Sequence, residues 1–223
     1  MTRAAAIVAS LFGFVTLGVF IAFSFLPDSQ AAYGMSRAMA DDLSLFQRAE
    51  SVGDLLRVFG GSETSAARAA AFHAVNTLDL WAFIPAYAIF LIAAALFIAG
   101  GLTSPLAYAA IGFALIGAGA DVVETVLQLR MTADLANAAA HLPVAPWHWL
   151  KYGALALNGF ALAGLCLLRN PQRWILGVAA LLPLPAVLAA LSDLAEPRVL
   201  TAALTVYWVA LLGVAVMGVW RKA

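Results

Sequence analysis

Six stretches of this chain are each long and apolar enough to cross a bilayer, at about residues 4–26, 80–99, 105–129, 147–168, 174–191 and 199–220. A hydrocarbon layer of about 30 Å takes roughly 20 helical residues to cross. Backbone N–H and C=O groups in hydrocarbon must be paired within the segment, and barrel strands would alternate in polarity, which these runs do not. The chain is therefore expected to be all-α: a polytopic integral membrane protein, one membrane domain over residues 1–223, with six transmembrane helices. Mostly short links between the spans suit an antiparallel bundle. Composition agrees, because 64% of the 223 residues are hydrophobic and 11% charged, against about 25% charged in soluble domains.

The first apolar run follows Arg3 and precedes a loosely signal-like Ser29-Gln30-Ala31. It is longer than a signal-peptide core and is read as a retained span.

Several function classes fall away. Zero net charge and no basic run leave nothing to neutralise phosphates, so no nucleic-acid partner is expected. Cys166 is the only cysteine, and no Cys/His spacing of the zinc-finger kind is present. His73, His141 and His148 form no HxxxH or HExxH pair, and no Walker-type loop occurs. Only His148 lies near a span, which is poor provision for axial haem ligation. Lys151 stands at the mouth of the fourth of six spans, unlike a retinal-binding lysine. No motif indicates a cofactor.

Basic residues set the direction. One side carries Arg3, Arg169, Arg173, Arg221 and Lys222 with no acid, and the positive-inside rule makes it cytoplasmic, with both termini inside and a bacterial inner membrane as the expected home. Trp81, Trp147, Trp149, Trp174 and Trp220 fall near span ends, where an indole is favoured, and Trp208 alone is mid-span. The other side receives the outer segment, residues 27–77. There Leu45, Ala49, Val52, Leu56 and Phe59 recur at helical spacing, predicting an amphipathic helix broken by Gly60-Gly61, with Ser62 capping a second helix. This segment is expected to form an amphipathic helical cap on the outer side.

Inside the spans, Pro85 and the Pro183-Leu184-Pro185 pair predict kinks. Gly112, Gly117, Gly119, Gly153, Gly159 and Gly164 predict a close approach of the third and fourth spans. No internal repeat of the inverted-transporter kind is visible.

The chemistry lies in ionisable residues at or within the spans, where charge is costly. Asp121 stands nine residues before Arg130, roughly 13 Å deeper along a helix. Glu124 is three residues further on, so both carboxylates share a face. Asn76 and Asp79 open the second span, with Phe83 and Tyr87 continuing at helical spacing. His148, Lys151 and Asn158 line the fourth. These stripes are expected to converge in the outer half of the bundle.

Four readings of the cluster stand: a structural network in which Lys151 neutralises Asp121 or Glu124, a pocket for a polar head group or small cation, a divalent-ion site of Asp79, Asp121, Glu124 and His148, and a proton relay. The expected task is binding or moving a small amphiphile or cation through an outward-facing pocket of Asn76, Asp79, Tyr87, Asp121, Glu124, His148, Lys151 and Asn158. Membrane lipids are the expected surroundings. The alternatives are a membrane-embedded lipid-modifying enzyme that uses the carboxylate pair or a metal, and a non-catalytic subunit or assembly factor with a protein partner in a membrane complex.

Overall fold

The structure, a computed structural model, describes residues 2–34, 38–60, 62–101, 104–169 and 171–220, and every regular element among them is helical. The α-helices in chain order are α1 (Thr2–Ala22), α2 (Pro27–Tyr33), α3 (Ala38–Gln47), α4 (Val52–Phe59), α5 (Ser62–Leu78), α6 (Ile84–Ala99), α7 (Pro105–Ala133), α8 (Ala145–Arg169), α9 (Trp174–Leu181), α10 (Pro183–Leu191) and α11 (Pro197–Trp220). Six helical segments are long and apolar enough to cross a membrane: Arg3–Phe25, Thr64–Ala99, Pro105–Ala133, Ala145–Leu168, Trp174–Leu191 and Arg198–Trp220. Among the basic residues that set the expected direction, Arg221, Lys222 and the side chain of Arg169 lie outside the described residues, as do Gly61 and the side chain of Ser62.

The second of these segments departs from expectation. It begins not near Leu80 but in the outer segment, where α5 runs through a π-helical stretch, Asp79–Phe83, directly into α6. The Ile84 N–H bonds the Asp79 carbonyl, five residues back. Pro85 accounts for the irregularity, since it has no N–H and its ring crowds the preceding turn. In the fifth span the helix is interrupted at Leu182, which keeps helical torsions, and resumes at Pro183.

Contacts divide the chain into two compact units, each drawn from several stretches of sequence. The first comprises Met1–Thr16, Ala86–Ala118 and Lys151–Ala223; the second comprises Leu17–Pro85 and Gly119–Leu150.

In the second unit the expected continuous amphipathic helix is two helices. α3 stops at Gln47, and α4 restarts behind a capping box in which Ser51 Oγ accepts from the Asp54 N–H while Asp54 accepts from the Ser51 N–H. Counting straight through this break misphases the apolar stripe. Val52 and Leu56 are 53% and 64% exposed, while Phe46, Ala49, Leu55, Val58 and Phe59 are buried. Phe46, Phe59 and Phe72 form the centre, with ring centroids 5.2 to 6.1 Å apart, and Met131, Ala138 and Val144 close it from the later chain. The Val144 N–H bonds the Ala49 carbonyl at 2.9 Å.

Two polar devices hold this segment. Tyr33 OH donates to Asp42 Oδ2 at 3.0 Å, and Arg68 bridges the same carboxylate at 3.2 Å and donates to the Val58 carbonyl. Burial, reinforced by Asp42, holds the Tyr33 phenol well above its ordinary pKa. The Ser51 hydroxyl, with the Glu50 amide, holds the Asp54 carboxyl below its ordinary range. Because that folded pKa is depressed, the capping box contributes fully above the ordinary carboxylate range and is lost as pH falls through the folded value.

In the first unit, glycines set how closely helices pack. A Cβ on Gly159 of α8 would stand 2.5 Å from the Ala180 carbonyl oxygen of α9, so this glycine brings the fourth span against the fifth rather than the third. Gly117 and Gly164 do serve the third and fourth spans, one against Leu155 and the other against Leu106. Gly112, Gly119 and Gly153 meet nothing within 4 Å. Gly159→Ala is therefore expected to lower stability by about 1–3 kcal/mol, since backbone must move to admit the methyl. Gly112→Ala is expected to cost nothing. Melting temperatures of the two variants in one detergent, compared with wild type, check the contrast.

Candidate functional site

The second unit gathers five of the residues singled out in the sequence: Asn76, Asp79, Asp121, Glu124 and His148. Its backbone is the C-terminal half of α7, where helical spacing puts Asp121, Glu124, Thr125 and Gln128 on one face at i, i+3, i+4 and i+7. All four side chains are almost completely buried, as are Asn76 and His148.

Asp79, first residue of the π stretch, accepts a hydrogen bond from Thr125 Oγ1 at 2.9 Å. That bond joins the α5–α6 helix to α7. In the Glu124 carboxylate, Oε1 is 3.6 Å from His148 Nδ1 and 3.5 Å from Gln128 Nε2. The first distance exceeds a hydrogen bond and the second is at its limit. Further along the α7 ridge, Thr132 Oγ1 lies 3.0 Å from His73 Nδ1 and donates within its own helix. The Nδ2 of Asn76, 2% exposed, has no hydrogen-bond partner among the described residues.

Sequence reading missed Thr125 and Gln128 as members of the stripe. Their spacing from Asp121 was the available signal. Asp79 and Phe83 open and close the π stretch, and the Phe83 ring lies 6.4 and 5.5 Å from those of Phe20 and Phe23. Among the described residues no three His, Cys, Asp or Glu side chains come together as metal ligands.

Tyr87, Lys151 and Asn158 belong to the first unit. The Tyr87 ring is fully buried, 5.3 Å from that of Trp208. Lys151 is buried with Nζ 4.9 Å from the Tyr152 ring centroid. Asn158 donates from Nδ2 to the Ala110 carbonyl and accepts at Oδ1 from Tyr207 OH, each at 2.8 Å. Its amide thus ties α8 to α7 and α11 through both its nitrogen and its oxygen.

Chemically, the second unit offers buried carboxylates, one imidazole within reach of one of them, and an amide donor to spare. Such a set suits recognition of a charged or polar group or the movement of a proton. No protein-family model, curated protein or solved structure matches the chain.

An unpartnered buried amide donor costs about 1–3 kcal/mol. Asn76→Leu is therefore expected to fold with a melting temperature equal to or above that of wild type, whereas Thr125→Val, which strips Asp79 of a donor, is expected to melt lower. Thermal unfolding of both variants checks this, and a clear loss in Asn76→Leu would show the amide to be structural.

Proposed function

We propose that this chain is an integral membrane protein that binds or transports a small cation, or a small amphiphile with a cationic head, at the buried acidic stripe of α7. The observation that carries the reading is the setting of Glu124. Its carboxylate is 1% exposed, beside His148 and Gln128 at 3.5 to 3.6 Å and on the same α7 face as Asp121, and a buried ionisable group in an apolar helix is a candidate for ligand or proton binding. Asp121 and Glu124 share one buried face of α7 with Thr125, which donates to Asp79, and buried carboxylates in apolar helices favour a cationic ligand. Asn76 Nδ2 provides a donor for a polar group on the same ligand. Glu124 supplies charge, Asp121 reinforces it one turn away, and Asp79, fixed by Thr125, borders the site.

The Glu124–His148 pair also favours a second reading. A carboxylate beside an imidazole is an acid–base couple, and in an enzyme acting on a lipid it would shuttle the proton.

For topology, the proposal takes the six apolar helices as antiparallel spans with both termini cytoplasmic, in a bacterial inner membrane, and α2 to α4 as a cap on the outer side. The support is the acid-free basic set of Arg3, Arg169, Arg173, Arg221 and Lys222. A reporter fused after Ala223 that is active only in the cytoplasm is expected to be active; activity only of a periplasmic reporter overturns the orientation.

Native mass spectrometry of the chain extracted in mild detergent tests the site. Wild type is expected to retain a small-molecule mass that Glu124→Gln loses while keeping its melting temperature. A chain bare in both forms overturns the ligand reading, and a stoichiometric protein mass in its place makes the chain a subunit of a complex.

A further inference from the structure

Away from the acidic stripe, in the first unit, a cavity of about 250 Å³ opens between the end of α6, the start of α9 and the last turns of α11. Its walls include Phe97, Ile175, Leu176, Gly213 and Met217, and its one guanidinium is that of Arg173. No acidic side chain lines it among the described residues. Arg173 is half-buried, with its guanidinium carbon 4.8 Å from the Phe97 ring centroid. That ring packs so closely on Gly218 that a Cβ there would overlap it. A cation laid on an aromatic face has lost much of its freedom before any ligand arrives, and a planar guanidinium so placed suits a phosphate oxygen pair.

We propose that this groove is a binding site for an anionic phospholipid, with the phosphate on Arg173 and an acyl chain along Ile175, Leu176 and Met217. Three observations select that occupant. Ile175 and Met217 are 65% and 60% exposed, so the apolar wall continues outward, as an acyl chain requires. Trp174 and Trp220, beside the groove in sequence, are 59% and 81% exposed, and exposed indoles at span ends mark the head-group level. The absence of a carboxylate from the lining gives an ammonium head group no partner, which favours phosphatidylglycerol over phosphatidylcholine. A free phosphate would meet only a half-exposed guanidinium in water, which holds it weakly. The inference rests on the membrane insertion of the six spans and not on the acidic stripe, so loss of ligand binding at Glu124 leaves it untouched.

Native mass spectrometry of the detergent-solubilised chain, titrated with phosphatidylglycerol and separately with phosphatidylcholine, tests it. Wild type is expected to bind one phosphatidylglycerol about tenfold more tightly than phosphatidylcholine, whose ammonium sets a like charge beside the guanidinium, and Arg173→Gln is expected to abolish the preference. Gly213→Leu fills the groove at a position where a Cβ meets nothing, and is expected to weaken both lipids at an unchanged melting temperature. Equal affinities in wild type, a preference that survives Arg173→Gln, undiminished binding in Gly213→Leu, or displacement by millimolar inorganic phosphate each overturns the proposal. Should Arg173→Gln fail to fold, Gly213→Leu and the phosphate competition decide.

Discussion

Backbone hydrogen bonding in segments too apolar to hold water is the constraint from which the rest follows. A helix pairs its backbone locally whatever its side chains are, so six long apolar runs become six helices before any tertiary contact is specified. The same constraint makes its exceptions informative. Where Pro85 withdraws a donor, the helix widens into the π stretch instead of stopping, and Asp79 is the residue at which that widening starts. Where Pro183 and Pro185 do so, the helix is interrupted at Leu182 and resumes.

Buried polar side chains meet the same demand in opposite ways. In the first unit Asn158 uses both ends of its amide, one on the Ala110 carbonyl and one on the Tyr207 hydroxyl. In the second unit Asn76 is equally buried, yet its amide nitrogen is unmatched. Two asparagines that look alike in sequence thus divide into a strut and a spare donor. The distinction is between a polar group that specifies packing and one that burdens it, and natural structures keep few of the latter without a use.

How much was legible in the sequence follows from how local each feature is. Apolar run length alone marks residues 174–191, where a helical segment long and apolar enough to cross a membrane lies, because hydropathy needs no partner. The outer stripe was misphased because neither glycine nor proline marks the break after Gln47; the legible mark was Ser51 with Asp54 three residues on, a cap signature inside what looked like one helix. The continuity of α5 with α6 was hidden by a change of character, amphipathic before Asp79 and apolar after it, that backbone hydrogen bonding ignores. For the site, spacing along α7 was enough to find Asp121 and Glu124, and would have found Gln128. That Thr125 reaches Asp79 while Glu124 stands off from His148 depends on side-chain placement between distant segments, which no local pattern encodes.

The bond from the Val144 N–H to the Ala49 carbonyl, with Met131 and Ala138 packed into the phenylalanine cluster, also sets an order of events during biosynthesis. Helices α3 to α5 emerge early from the ribosome, but the residues that complete their core belong to a stretch translated much later. At ordinary translation speeds the interval from Ala49 to Val144 lasts roughly 5 to 20 s. Throughout it Phe46, Phe59 and Phe72 can pack on one another and on early neighbours such as Tyr33, Leu55 and Val58, while the side that Met131, Ala138 and Val144 later close stays open.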